Sequence, residues 1–285
     1  MPEPVALPSA TLCADDFAMS AEVSAVIADL ARRRCINAIS CMAAMPGWPI
    51  DARLLDGIEA VSCGEFGPVQ VGLHLVLASE RPLGPMGCTT PDGTLPGPDR
   101  MLALTLAGKV DMDEVAAEID RQFIAFRTAR GRAPDFVDAH QHVHLYPGIR
   151  QAFIAATLRH APHAWVRVPD DRLPAMLARP WRGKAIGSAA HALGFRRQLR
   201  EAGLRSNRSF AGHYDYASDY ADHLDAFLRF GSAPHLIMCH PGAGSIPGDT
   251  IAAARSKEAE VIGAMTLEDR MLNLAPGCRP RVAHG

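Results

Sequence analysis

The sequence predicts an α/β protein built on a parallel sheet, and two observations carry that expectation. Short apolar runs of strand length alternate with helical patterns from residue 9 to about residue 273. Four of those runs also end on polar residues with chemical capability, as strands do when their carboxyl ends converge on one face. The alternation alone is compatible with a closed barrel or an open sheet.

The elements follow in order. SATLCA (9–14) reads as the first strand and ends on Asp15-Asp16. Ser20 caps a helix whose Val23, Val26, Ile27 and Leu30 keep the i, i+3, i+4, i+7 spacing of one buried face. INAISCMAAM (36–45) is the second strand, followed by a weaker helix at 51–61. VQVGLHLVLA (69–78) is the third, and it opens into a Gly/Pro-rich stretch, 79–99, too long for an idle connection and placed to overhang a site. Val115, Ile119, Phe123 and Phe126 stripe the next helix. FVDAHQHVHL (136–145) reads as a strand, with a helix opening at Pro147. AWVRV (164–168), a helix at 218–230, PHLIMC (234–239) and a helix over about 251–273 complete the pattern, while 170–217 stays ambiguous.

Composition bounds the function. Hydrophobic residues make up 48% of the 285, which excludes disorder as the main state. Lys plus Arg (29) nearly balances Asp plus Glu (31), and that overall balance carries no electrostatic footprint for nucleic acid or an anionic membrane. No run approaches the ~18 apolar residues of a membrane span. The first residues hold Glu3 and no Lys or Arg, unlike a secretory signal, so a cytoplasmic location is expected. Seven scattered cysteines (13, 35, 41, 63, 88, 239, 278) form no CxxC pair and read as buried thiols. No repeat or linker interrupts the chain; one domain over 1–285, with its core at about 10–273, is expected.

The four polar strand ends are Asp15-Asp16, His74, the histidines of HQHVH (His140, His142, His144) and His240-Pro241-Gly242. Buried polar groups at strand ends are costly unless they serve a ligand or each other. In an extended strand Asp15 and Asp16 face opposite ways, so one carboxylate is free to hold a metal while the other addresses a bound water. The period of two throws His140, His142 and His144 onto one face. One carboxylate with two imidazoles and water suits a divalent transition ion such as Zn²⁺. His240 is a candidate proton donor. Phe17, Trp48, Tyr146 and Trp165 fall near strand ends, where a sugar ring can stack.

With those residues assembled, the chain resembles the YdjC-like family of carbohydrate deacetylases, including the chitooligosaccharide and hopanoid-associated types. The matching segments are ADDFAMS (14–20), VGLHLVL (71–77), VDAHQHVHLYPGI (137–149), CHPG (239–242) and ARSKEAEVI with Arg255 and Glu258. The resemblance implies a deformed TIM-like (β/α) barrel and one divalent metal, Mg²⁺ or Zn²⁺, on Asp16, His74 and His140. It makes Asp15 the catalytic base and places Arg167, in WVRVP, where it meets substrate. Ala18 departs from the pattern, since the family usually has Gly after Asp-Asp-Phe.

These expectations describe hydrolysis of the N-acetyl group of an amino sugar or glycolipid-linked sugar. Asp15 takes a proton from water, His240 protonates the leaving amine, and His142, His144 and Tyr146 contact or support the substrate. A homodimer is compatible with the resemblance. Two alternatives stand beside it: a metal-dependent phosphoesterase, for which the HQHVH neighbourhood offers only Asp138, and a non-catalytic sugar-binding protein, which would be expected to lack Asp15 or a ligand.

Overall fold

A computed structural model describes residues 5–274 apart from Pro180, Phe230, Ser245 and Pro247. Glu3, Cys278 and His284 lie outside the described residues. The strands are β1 (Ala10–Phe17), β2 (Ala38–Cys41), β3 (Gln70–Leu75), β4 (Phe136–Ala139), β5 (Trp165–Val166), β6 (Arg205–Ser206), β7 (Ser209–Ala211) and β8 (His235–Cys239). All pair in parallel, in the order β6-β5-β4-β3-β2-β1-β8-β7, which is the neighbour order of a barrel. The fold is a TIM-like α/β arrangement, and its sheet curls so that the two end strands are consecutive in sequence.

Those end strands meet in an unusual way. Only Asn207 and Arg208 separate β6, which pairs with β5, from β7, which pairs with β8. One bent strand, 205–211, thus changes partner half-way. At the break the buried Asn207 side chain takes over the ladder: its Oδ1 accepts from the Val168 N–H (2.7 Å), and its Nδ2 donates to the carbonyls of Val168 (2.9 Å) and Ser209 (3.0 Å).

The helices are α1 (Ala21–Arg32), α2 (Trp48–Asp51), α3 (Pro98–Leu106), α4 (Met112–Arg130), α5 (Ile149–His160), α6 (Leu173–Ala178), α7 (Arg182–His191), α8 (Phe195–Glu201), α9 (Tyr220–Arg229), α10 (Ala252–Gly263) and α11 (Leu267–Leu272). Ser20 caps α1, its Oγ accepting from the Val23 N–H at 3.2 Å. Alternate strand residues divide the core. Leu12, Ala14, Ile237 and Cys239 join the layer packed against the helices, whereas Cys13, Phe136, Trp165, Phe210, Leu236 and Met238 plug the interior. The Phe136 and Trp165 rings stack there at 4.5 Å between centroids. Gly72 of β3 makes room for them, since a Cβ at that position would lie 2.4 Å from the Phe136 ring.

Several predicted elements differ. The weak helix at 51–61 is the one turn of α2 followed by 3₁₀ turns, and the helix expected at Pro147 begins at Ile149. The strand 136–145 stops at Ala139, because Gln141 and His142 adopt left-handed backbone (φ 54° and 57°) and His140–Leu145 winds into 3₁₀ turns. The region 170–217 resolves into α6, α7, α8 and the two short strands at the break.

Candidate active site and metal centre

Asp15, Asp16, His74, His140, His142 and His240 line one cavity of about 620 Å³ at the carboxyl ends of the strands. The arrangement begins with an irregularity in β1. Its register against β2 shifts between Ala14 and Phe17, and Asp16 sits in the left-handed region at φ 66°. That kink overturns the expectation that the paired carboxylates face opposite ways. Asp15 continues the inward face of Cys13, and the kink turns Asp16 into the same cavity.

Asp15 is held by Arg167. The guanidinium donates from Nη1 to Oδ2 (2.5 Å) and from Nη2 to Oδ1 (2.6 Å), and Nη2 also lies 2.6 Å from Asp138 Oδ2. Arg167 has no exposed surface, so the expectation that it meets substrate is corrected: it positions the Asp15 carboxylate from below. Burial alone would lower the Arg167 pKa, but Asp138 and Asp15 outweigh it and keep the group charged.

His74 extends the network. Its Nδ1 lies 2.6 Å from Asp138 Oδ1, which also accepts from Ser40 Oγ at 2.6 Å, while Nε2 faces Asp16 Oδ1 at 3.5 Å. Burial pushes the imidazole down, yet the charges of Asp138 and Asp15 more than compensate and raise it to about 10. Asp138 itself, pushed up by burial and pulled down by Arg167 and His74, settles at about 2. On the far wall His140 Nδ1 lies 3.0 Å from Asp16 Oδ1. Arg255 of α10 donates from Nη2 to Asp16 Oδ2 and from Nε to Asp249 Oδ2, both at 2.8 Å. Arg255 and His140 hold Asp16 well below the carboxylate range despite its burial.

One donor atom each from Asp16, His74 and His140 falls within 4.8 Å of the others. The donor set fits a divalent cation on three grounds. Asp138 fixes the His74 tautomer and leaves Nε2 directed at Asp16, the arrangement of a metal-ligating imidazole. One carboxylate with two imidazoles leaves coordination positions for water and substrate. Around the floor Asp15, Asp16, Asp138 and Asp249 face two arginines, Arg167 and Arg255; with His74 and His140 as neutral ligands, that leaves an excess of negative charge for a dication to neutralise. A second group, Cys13, Asp15 and Asp138, is already compensated by the Arg167 guanidinium.

The three histidines of HQHVH go to three places, because the left-handed turn at Gln141 and His142 breaks the strand period. His140 reaches the Asp16 group. His142 lies deeper in the cavity, its ring 5.6 Å from those of Phe210 and His213. His144 does not reach the cavity: it is fully buried on Phe153 and Phe195, with Nε2 donating to the Arg167 carbonyl at 3.2 Å. Tyr146 also turns away and packs on His191, so neither it nor His144 is placed to touch a substrate. His240 follows β8, with its backbone N–H donating to the buried Glu258 at 2.5 Å; Tyr214 Oη donates to the other oxygen of that carboxylate at 2.6 Å. Burial lowers His240 to about 4, against the pull of Asp16 and Asp15.

His213, Tyr216 and Lys184 also line the cavity, although the sequence reading passed over them. His213 follows β7 through Gly212, whose φ of 127° and contact with the Met238 carbonyl leave no room for a Cβ. A Gly-His step after the short apolar run SFA was the available signal. From 79–99, Ser79 donates to Gln141 Oε1 (3.1 Å), and Glu80 and Thr94 reach the rim. That segment is anchored by the buried Glu118 of α4, which accepts from the N–H groups of Leu83 (2.9 Å) and Gly84 (3.1 Å).

Comparison with known proteins bears on the whole chain. The model of the YdjC-like protein family matches residues 9–271. The chain belongs to the YdjC-like family. Among its relatives, a mouse carbohydrate deacetylase is 30% identical over 218 residues, covering 68% of this chain and 69% of that protein. A chitooligosaccharide deacetylase of Enterobacter sp. (strain 638) is 31% identical over 136 residues, 48% of this chain and 50% of its own. A crystal structure from Enterococcus faecalis V583, described as that of a candidate cellobiose-phosphate cleavage protein, superposes with a TM-score of 0.68 over 94% of this chain and 95% of its own. At 17% identity that likeness speaks for the shared YdjC-like fold alone. Among the described residues, no helix is long and apolar enough to cross a membrane.

Proposed function

We propose that this YdjC-like protein hydrolyses the N-acetyl group of a neutral acetylated amino sugar, using one divalent metal ion held by Asp16, His74 and His140. The observation that carries the reading is the juxtaposition of that donor set with a separate carboxylate, Asp15, in one cavity whose size suits a small glycan. The deacetylase names of its relatives support the same chemistry.

When bound, the ion supplies Lewis-acid polarisation of the acyl carbonyl and makes water a usable nucleophile near neutral pH. The residues of the chain do the rest. Asp15, fixed by the two-pronged Arg167 contact, accepts the proton of the attacking water. His240 is neutral at pH 7 and holds a single ring proton. Its Nδ1 is buried with no hydrogen-bond partner among the described residues, so Nε2 takes up the proton that Asp15 has drawn from water and hands it to the departing amine, which leaves Asp15 ionised and His240 neutral again. His142 and His213 are kept neutral by burial, so they offer hydrogen bonds to sugar hydroxyls without adding charge. With the ion bound, Asp15, Asp16, Glu80 and Asp249 balance Lys184, Arg255 and the dication, so the lining carries no surplus of positive charge to attract a phosphorylated ligand.

The phosphoesterase alternative is weakened by Arg167, which fills the place where a second ion would bridge Asp15 and Asp138. The test is a panel assay with metal added back to the metal-free protein. Acetate release from N-acetylated chitobiose and related amino sugars is expected; phosphate release from sugar phosphates with no acetate from any acetylated sugar would overturn the reading.

A further inference from the structure

We propose that Tyr216 is a catalytic residue whose hydroxyl donates a hydrogen bond to the acyl oxygen of the substrate as negative charge develops there, a role that rests on the deacetylase reading of the cavity. Left-handed backbone is costly for residues other than glycine, and it persists where the surroundings enforce it, typically at functional sites. Among the described residues eight non-glycine positions have a positive φ, and five of them line the cavity: Asp16, Ser79, Gln141, His142 and Tyr216. Tyr216, at φ 63°, is the bulkiest of the five. Its turn is enforced by Asp215, whose Oδ1 accepts from the N–H groups of Ala217 and Ser218, both at 3.0 Å, and from Ser218 Oγ at 2.5 Å. Strain held this firmly at a cavity wall points to a use for the side chain.

Three neighbours engage the ring. The Lys184 ammonium lies over it, 5.1 Å from the centroid. The Tyr214 ring is tilted against it at 4.5 Å, and the His240 ring meets it edge to face at 5.6 Å. Stacking on a sugar is thereby disfavoured, and the hydroxyl is the part of Tyr216 left to a ligand. Ser79 and Thr94, also on the lining, spend their hydroxyls on Gln141 and Asp92. The Tyr216 hydroxyl forms no hydrogen bond among the described residues. Burial raises its pKa, and the carboxylates of Glu258, Asp16 and Asp15 raise it further, so it stays a neutral donor throughout the working pH range. The contact with His240, which serves the departing nitrogen, puts Tyr216 beside the scissile amide.

The chemistry asks for such a donor. As water adds to the acyl carbon a new C–O bond forms, and the π pair of the carbonyl moves onto its oxygen. Tyr216 donates a hydrogen bond to that oxygen and keeps its own proton. When the C–N bond breaks, the pair returns to restore C=O in acetate, and the amine leaves with the proton handed on by His240. A donor aimed at the oxyanion is worth more in the transition state than in the ground state, so its loss falls on kcat rather than KM.

The test compares the full-length wild type with Tyr216→Phe, both reloaded with metal, on N-acetylated chitobiose and the other acetylated amino sugars of the panel. Tyr216→Phe is expected to lose about 10²–10³-fold in kcat. Its KM should change by less than about threefold, with metal content, Tm and the pH profile of kcat as in wild type. An N-thioacetyl analogue of the same sugar, whose sulfur accepts hydrogen bonds poorly, should shrink the difference between the two proteins to less than about tenfold. Unchanged kcat in Tyr216→Phe, or an equal loss on the thioacetyl analogue, overturns the proposal and leaves the deacetylase reading standing. A raised KM at constant kcat overturns it in favour of a contact with a sugar hydroxyl. A loss of kcat with a displaced pH profile overturns it in favour of an effect through His240, and a parallel loss of metal in favour of support for the metal centre. A wild-type protein that releases acetate from no acetylated sugar removes the deacetylase reading itself, and this role of Tyr216 with it.

Discussion

The two terminal nitrogens of Arg167 face the two carboxylate oxygens of Asp15 at 2.5 and 2.6 Å, and both side chains are buried. The same guanidinium reaches Asp138, so a single cation holds the candidate base and, through Asp138, the tautomer of His74. Arg167→Ala leaves two buried carboxylates without their partner and costs about 3–5 kcal/mol of stability. Arg167→Lys keeps the charge without the planar fork. It is expected to fold and to lose at least tenfold in kcat, as measured by urea unfolding and acetate release. Wild-type turnover in Arg167→Lys would show that Asp15 needs no such support.

Asp15→Asn is expected to retain the metal and lose two or more orders of magnitude in kcat, because an amide cannot accept the proton of water. Metal content and single-turnover acetate release, measured together, check this. A variant with full activity would remove Asp15 from the reaction.

Asp138 touches no substrate, yet Asp138→Asn is expected to weaken metal affinity by about 10–100-fold, since His74 loses the charged acceptor that orients it. His74→Ala or His140→Ala removes a donor outright and should lower metal content and turnover together. Competition with a chromophoric chelator supplies the affinities. An Asp138→Asn protein that binds metal as wild type does would contradict the assignment.

Glu258 is fully buried and raised from its ordinary value of 4.5 to about 7, chiefly by desolvation, against the hydrogen bonds from Tyr214 and His240. The folded state therefore holds a proton that the unfolded chain releases near 4.5, so stability falls as pH rises from about 4.5 to 7 and is level beyond. The change amounts to about 3 kcal/mol for this group. Glu258→Gln should lose that slope, and its stability relative to wild type should improve from pH 5 to pH 8 in chemical denaturation. Parallel curves for the two proteins would show that Glu258 does not titrate in this range.

Ala18 sits at φ 76°, in the left-handed region, and this accounts for the family preference for Gly there. Ala18→Gly relieves about 1–2 kcal/mol of strain and gives back about 0.4–1 kcal/mol through the freer unfolded chain. A net gain of up to about 1.5 kcal/mol is expected, seen as a rise of a few degrees in Tm with metal content unchanged. A fall in Tm would mean that the buried methyl contributes packing greater than the strain.

The sequence made the strand ends legible because four apolar runs stop on Asp15-Asp16, His74, His140 and His240, and all of these line the cavity. It misread HQHVH because left-handed backbone at two consecutive non-glycine residues, Gln141 and His142, leaves no mark in a periodicity argument. Arg167 lies inside a true strand-end motif, but its partners are 152 and 29 positions away, and only the fold shows that they enclose it. His213 was hidden because β6 and β7 are two and three residues long, too short for any period to appear.

The bent strand 205–211 separates two bookkeeping systems for residue position. In a continuous barrel, a slip of one residue anywhere must be absorbed all the way round the ring. Here β6 answers only to β5 and β7 only to β8, with Asn207 bridging the gap by its side chain. Insertions or deletions in the helical arc from α6 to α8 can therefore accumulate without moving β8 or the His240 that follows it. The wall that carries Lys184 is free to change shape between relatives, while the wall carrying Asp15, Asp16 and His74 keeps its alignment.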